Sequence, residues 1–129
     1  MFTFKKEERL NNYKLIKKLR DSSFFVLSPL IKCIFLTVDN VTNSKYNIKL
    51  LIKIPKKTIK NATERNLIKR RIREVFRVNK HFFSILADKI ILMQIEYLST
   101  KNVSYDILQK EFQRIFDKIN TLMNISKSY

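Results

Sequence analysis

Residues 65–77 of this chain read RNLIKRRIREVFR, a stretch in which six of thirteen side chains are cationic. When these residues are wound as an α-helix, at about 100° each, an arc of roughly 140° collects most of the basic groups and one amide. The opposite side is mostly apolar, although Phe76 falls at the edge of the basic arc and Arg71 falls on the apolar side. The pattern predicts a helix that packs on a core and presents a basic band, which consists of Arg65, Asn66, Lys69, Arg70, Arg73 and Arg77.

The arginine content of this band points to nucleic acid. Five of the eight arginines of the chain lie within these thirteen residues. A guanidinium group binds phosphate oxygens two at a time and stacks on exposed bases. The formal net charge of +16 also favours a polyanionic partner, because so much like charge repels itself in a compact fold. The chain has no glycine and many lysines, a usage typical of AT-rich coding, so the arginine cluster is a stronger signal than the lysines.

The composition argues against several other kinds of protein. A length of 129 residues predicts one domain over 1–129. Cys33 is the only cysteine, so neither an intramolecular disulfide nor a multi-thiolate zinc site can form within one chain. We expect Cys33 to be a core thiol and His81 a surface imidazole rather than a catalytic pair. No apolar run approaches the roughly 18 residues of a membrane span, and the first residues lack the order of a secretory signal, so we expect a cytoplasmic protein without a membrane partner.

The periodicity of the remaining sequence predicts a small α+β fold. The segment 46–54 alternates as a half-buried strand does, with Lys49 and Lys53 on its outer side. Asn61 followed by Glu64 resembles a capping box at the start of the basic helix. The predicted elements, in order, are a helix over 13–20, an extended segment over 24–30, a strand over 31–38, a strand over 46–54, the basic helix over 62–79, a strand over 89–97 and a last helix capped by Ser104.

Three to four strands packed with about three helices form a small two-layer sandwich. The basic helix is expected to lie on the sheet, because the sheet is the largest apolar surface available to cover its apolar side. We expect the last residues of the chain, about 124–129, to be frayed.

With these elements placed, the chain resembles the protein component of bacterial ribonuclease P. The resemblance is carried by Arg65-Asn66-x-x-Lys69-Arg70-x-x-Arg73-Glu74-x-x-Arg77, and it is supported by Ile54-Pro55-Lys56-Lys57 and by Lys6-Glu7-Glu8-Arg9-Leu10. Two features depart from the family pattern. Leu67 follows the Arg-Asn pair where the family usually has a basic residue. The region 17–21 contains neither the aromatic residue nor the glycine that the family commonly carries there.

The resemblance implies a protein that assists a catalytic RNA. In that family, the RNA subunit uses Mg²⁺ to remove the 5′ leader from precursor tRNA, and the protein binds both the RNA subunit and the leader. This implies no catalytic residue or metal ligand in the protein, one protein per RNA and no DNA partner. The residues expected to bind the RNA subunit are Arg65, Asn66, Lys69, Arg70, Arg73, Arg77, Lys56 and Lys57. The residues expected to contact the leader are Tyr13, Lys17, Lys49 and Lys53, with Tyr13 as the base-stacking aromatic.

The residues themselves agree with this implication. The eleven acidic residues include no paired carboxylates with the spacing of metal ligands. We expect Glu74 to pair instead with Arg70, Arg71 or Arg77, each three or four positions away.

Two alternatives remain open at this point. The same kind of sandwich serves other RNA-binding and ribosome-associated proteins. A DNA-binding regulator would use the basic helix in a major groove, but such a protein predicts a helix-turn-helix pair, and here strands flank the basic helix.

Overall fold

The computed structural model describes residues 13–21, 24–39, 48–79 and 89–127, and it confirms the predicted α+β class. The first strand region is split in two, so that the sheet has four strands. The elements are α1 (Tyr13–Arg20), β1 (Phe25–Leu27), β2 (Ile31–Asp39), β3 (Ile48–Lys53), α2 (Ala62–Val78), β4 (Lys89–Tyr97) and α3 (Tyr105–Lys127).

The strands form one mixed sheet in the order β1-β2-β4-β3. β2 is antiparallel to both β1 and β4, whereas β3 and β4 are parallel and are connected through α2. β4 therefore lies in the middle of the sheet, and its residues 90–95 are buried on both faces. This position explains why residues 90–95 of β4 are apolar except for Gln94, rather than alternating as in a half-buried strand.

The inner face of the sheet carries the main core. Cys33, Phe35 and Met93 lie on this face and pack in one cluster with the apolar sides of α2 and α3. Phe76 of α2 contacts the rings of Phe112 and Phe116 edge-on, with both centroid distances at 5.3 Å. A large apolar side chain contributes about 1.5–3 kcal/mol when it is fully buried. The shared cluster holds α2 on the sheet, as predicted, and the ring contacts join α2 to α3.

The outer face of the sheet is partly covered by α1. Leu19 is completely buried against Ile90 and Leu92, and Ile16 packs at the side of this smaller cluster. The sheet together with α2 and α3 thus forms the predicted two layers, and α1 lies on the opposite face of the sheet. Lys49 and Lys53 share the outer face with α1, because their register partners on β4 are Leu92 and Glu96.

Local interactions set the ends of the elements. Asn61 accepts a hydrogen bond from the Thr63 N–H (2.8 Å) and begins α2, and Ser104 accepts one from the Ile107 N–H (3.4 Å) at the start of α3. Ser28 closes the turn between β1 and β2, with its N–H bonded to the Ile31 carbonyl at 2.9 Å.

Two boundaries differ from the prediction. α3 continues to Lys127, so residues 124–127 of the tail expected to be frayed are helical. The strand predicted over 46–54 covers Ile48–Lys53, and residues 46 and 47 lie outside the described ranges. Within the described ranges, no helix combines the length and the apolar character that crossing a membrane requires.

Candidate nucleic-acid interface

α2 divides its surface as the helical wheel predicts. Ile68, Ile72 and Val75 are fully buried toward the inner face of the sheet. On the other side, Asn66 and Arg70 are exposed, and the remaining members of the basic band are partly exposed. Phe76, which the wheel placed at the edge of the band, is buried against α3. The packing therefore fixes a helix whose charged side faces away from the core.

The last arginine of the basic band is paired with the acidic residue inside the motif. Arg77 donates through Nε to Glu74 Oε2 (2.9 Å) and through Nη2 to Glu74 Oε1. The two side chains thus form a bidentate ion pair across one helical turn. The hydrogen bond to Arg77 holds the pKa of Glu74 below its ordinary value. The predicted pairing of Glu74 with a neighbouring arginine is thus confirmed, with Arg77 as the partner.

Arg65 at the start of the band has a structural contact as well as a charge. Its Nη1 donates to the carbonyl oxygens of Ile59 and Lys60, both at 2.8 Å. These bonds close the connection from β3 to α2, which carries the exposed side chains of Lys56 and Lys57. The residues predicted to bind the RNA subunit therefore lie on two consecutive elements, the connection and the outward side of α2.

The predicted leader residues lie on a different side of the molecule. Lys49 and Lys53 point outward from β3, and their backbones are about 13 Å apart at roughly 3.3 Å per residue. Lys17 is exposed on α1, beside the same outer face. Tyr13 begins α1, but its side chain lies outside the described part of the structure, so its predicted stacking role stays a prediction.

Comparison with known proteins identifies the family of this chain. The family model of ribonuclease P matches residues 4–120. The chain belongs to the ribonuclease P protein family. Among its relatives, the ribonuclease P protein component of Rickettsia canadensis is 36% identical over 114 residues, which cover 88% of this chain and 91% of the relative. The corresponding component of Petrotoga mobilis is 30% identical over 125 residues, which cover 91% and 95%.

Solved structures show the same architecture. The RNase P protein of Thermotoga maritima superposes with a TM-score of 0.67 at 19% identity and covers 86% of this chain and 96% of that one. A Staphylococcus aureus RNase P protein mutant with defective mRNA degradation activity gives a TM-score of 0.70 at 20% identity and covers 89% and 90%. The departures at Leu67 and at residues 17–21 therefore leave the ribonuclease P protein fold intact.

One surface of this ribonuclease P protein was missed by sequence reasoning. The side chain of Phe25 on β1 is 54% exposed, and Lys32 Nζ lies 5.8 Å from its ring centroid. Phe25 pairs with Ile34 of β2, so its ring shares the outer face with Lys49 and Lys53. An exposed ring beside an ammonium group suits a nucleobase and its phosphate. The adjacent pair Phe24-Phe25, in the extended segment predicted over 24–30, was the available signal.

Two further features of this ribonuclease P protein are the environment of its single cysteine and the arrangement of its potential metal ligands. Cys33 is buried in the inner-face core, and this burial raises the pKa of its thiol far above the ordinary range. His81 lies outside the described residues. Within the described part of the chain, no three His, Cys, Asp or Glu side chains converge as metal ligands would.

Proposed function

We propose that this protein, as the RNA-binding subunit of ribonuclease P, binds the catalytic RNA through the basic band and binds the 5′ leader of precursor tRNA on the outer face of the sheet. The observation that carries the proposal is the placement of α2. Its apolar side is fully buried at Ile68, Ile72 and Val75, while its basic band faces outward. A preorganised cationic surface of this kind binds phosphates without a large cost of ordering.

The two RNA surfaces are joined through one connection. Lys53 ends β3 on the outer face, and Lys56 and Lys57 follow within four residues, before α2 begins at Ala62. The outer face and the basic band lie on opposite sides of the sheet, because α1 and α2 pack on opposite faces. One copy of the protein thus has a separate surface for each of two RNA molecules, which supports one protein per RNA subunit.

In this proposal the RNA subunit hydrolyses the phosphodiester bond, and Mg²⁺ supplies the Lewis acid for that step. The protein contributes binding and orientation. The acid inside the motif supports this division, since Glu74 is engaged with Arg77.

Reconstitution tests the proposal. RNA-free protein, its cognate ribonuclease P RNA and labelled precursor tRNA are combined in Mg²⁺, and each component is omitted in turn. We expect correct 5′ cleavage with the RNA present, stimulation by the protein at physiological salt, and no cleavage by the protein alone. Cleavage by the protein alone would overturn the assignment of the chemistry. Equal affinity for precursor and mature tRNA in the holoenzyme would overturn the leader surface and favour a general RNA-binding domain.

A further inference from the structure

Arg71 is the arginine of α2 that does not belong to the basic band. The helical wheel places it on the apolar side, and the structure gives it partners 31 and 32 residues away. Its Nη1 donates to Asn102 Oδ1 (2.5 Å) and to the Val103 carbonyl oxygen (2.7 Å). Both acceptors lie in the segment between β4 and α3, residues 98–104, which we call the β4–α3 loop. Arg71 therefore ties this loop to α2.

The same loop is held from inside by a buried tyrosine. Tyr97 is fully buried, and its hydroxyl donates to the Lys101 carbonyl oxygen (2.5 Å) and accepts from the Val103 N–H (3.4 Å). Ser99 Oγ also accepts from the Lys101 N–H at 3.1 Å. The backbone of Lys101 is thus fixed on both sides, while its side chain is exposed. A fixed backbone reduces the entropy that an exposed lysine loses when it binds a partner.

This loop forms one wall of a cleft beside α2. The cleft has a volume of about 400 Å³, and Thr100 is the residue of the loop that lines it. The other wall comes from the β3–α2 connection and the first turn of α2, with Lys57 and Lys60 as its cations and Glu64 as its one acidic residue. Two cationic residues and one carboxylate therefore line the cleft, and the exposed Lys101 follows Thr100 directly in the loop. The charge fits a phosphodiester backbone, which is usually bound by lysines, hydroxyls and backbone N–H groups together.

We propose that this cleft binds the sugar-phosphate backbone of the ribonuclease P RNA, with Lys101 as a phosphate contact and Arg71 as a positioning residue that holds the loop in place. The proposal rests on the proposed function, because it extends the RNA surface of α2 onto a second element. It also divides the arginines of the motif by role. Arg70 is exposed within the basic band, whereas Arg71 directs its guanidinium to two acceptors of the loop.

The test is a salt titration of complex formation between the full chain and its cognate ribonuclease P RNA. We expect Lys101→Gln to weaken binding roughly fivefold and to reduce the slope of log K against log salt by about 0.7–0.9, the amount for one lost phosphate contact. Lys118→Gln is the matched control, since it makes the same charge change at an exposed position near β1, away from the cleft. If the two variants change the slope equally, Lys101 is not in the interface and the proposal is wrong.

A double-mutant comparison tests the role of Arg71. Arg71→Gln should weaken RNA binding in the natural chain and have little further effect in the Lys101→Gln background, because the group that Arg71 positions is then absent. Additive losses would mean that Arg71 itself contacts RNA, which overturns its positioning role. Asn102→Ala keeps every charge and removes one acceptor of Arg71, so it should reproduce a smaller part of the same loss. It also keeps the test decisive if Arg71→Gln does not fold.

Arg70→Gln separates this proposal from the function on which it rests. If Arg70→Gln weakens RNA binding but Lys101→Gln weakens it no more than the Lys118→Gln control does, only the cleft proposal fails. If none of these variants weakens binding, the α2 surface itself is not the RNA interface.

Discussion

Replacing Arg70 with glutamine should weaken assembly with the catalytic RNA without altering the fold. The Arg70 side chain is exposed on the outward side of α2, whereas the residues that anchor this helix, such as Ile68 and Ile72, are fully buried. The substitution therefore removes one cation from the basic band and leaves the core contacts in place. We expect a loss of about 1–3 kcal/mol in binding free energy, the range for one charge-assisted hydrogen bond, which corresponds to roughly 5- to 150-fold in affinity.

The salt dependence of the natural protein sets the scale for this effect. Seven cations lie in the basic band and at Lys56 and Lys57, and the charge of Arg77 among them is compensated by the Glu74 carboxylate. If the other six each displace a counterion, log K should fall against log salt with a slope of roughly −4 to −5. When the salt concentration rises from 50 to 200 mM, a slope of this size corresponds to a decrease in affinity of about 10³-fold. Arg70→Gln should make the slope shallower by about 0.7–0.9.

The assay is a fluorescence titration of labelled RNA at four salt concentrations, with thermal unfolding of each variant measured in parallel. Lys118→Gln again serves as the charge-matched control and should keep the natural slope. A flat slope for the natural protein would refute the argument that phosphate contacts dominate. A lower melting temperature for Arg70→Gln with an unchanged slope would show that Arg70 supports the fold rather than the interface.

Three further variants test the other parts of the structure. Glu74→Gln should steepen the salt slope, because Arg77 then gains a full uncompensated charge; a shallower slope would show that Glu74 is needed to orient Arg77. The pKa of Glu74 is lowered in the fold, so the ion pair stabilises the protein at pH values above the ordinary carboxyl pKa. This contribution is lost as the pH falls, and the melting temperatures of the natural protein and of Glu74→Gln should therefore converge in acid. Phe25→Ala should reduce the preference of the holoenzyme for precursor over mature tRNA by about 1–3 kcal/mol, with assembly unchanged, and an equal loss for both tRNAs would exclude leader stacking. Ile72→Ala should lower the free energy of unfolding by about 2–5 kcal/mol in chemical denaturation, and a loss below 1 kcal/mol would contradict its full burial.

The sequence predicted the parts of this fold that follow from local periodicity. The division of α2 into buried and outward sides needs only the helical repeat, and Ile68 and Arg70 lie where that repeat puts them. The contact of Arg71 with Asn102 depends instead on the packing of α2 beside the β4–α3 loop, which no local pattern encodes. The same limit applies to Phe25, because only the register of β1 with β2 shows which face of the sheet its ring shares.

The burial of Phe76 also required the structure. On the wheel it falls at the edge of the basic band, and its position is decided by two aromatic rings supplied by α3. The face of the sheet that α1 covers was likewise undetermined, since its short apolar stripe at Ile16 and Leu19 fits either face in isolation.

The strand order has a consequence for how this chain folds as it is synthesised. β2 and β3 are not neighbours, because β4 lies between them and pairs with both. The basic helix α2 thus leaves the ribosome before the strand that completes its supporting sheet. Until residues 89–97 have emerged, α2 carries its full cationic charge with an apolar side that has only a partial surface to cover it. A nascent chain in this state would meet cellular RNA before its core is complete. Early, non-productive RNA contacts would therefore interfere with folding at the late insertion of β4.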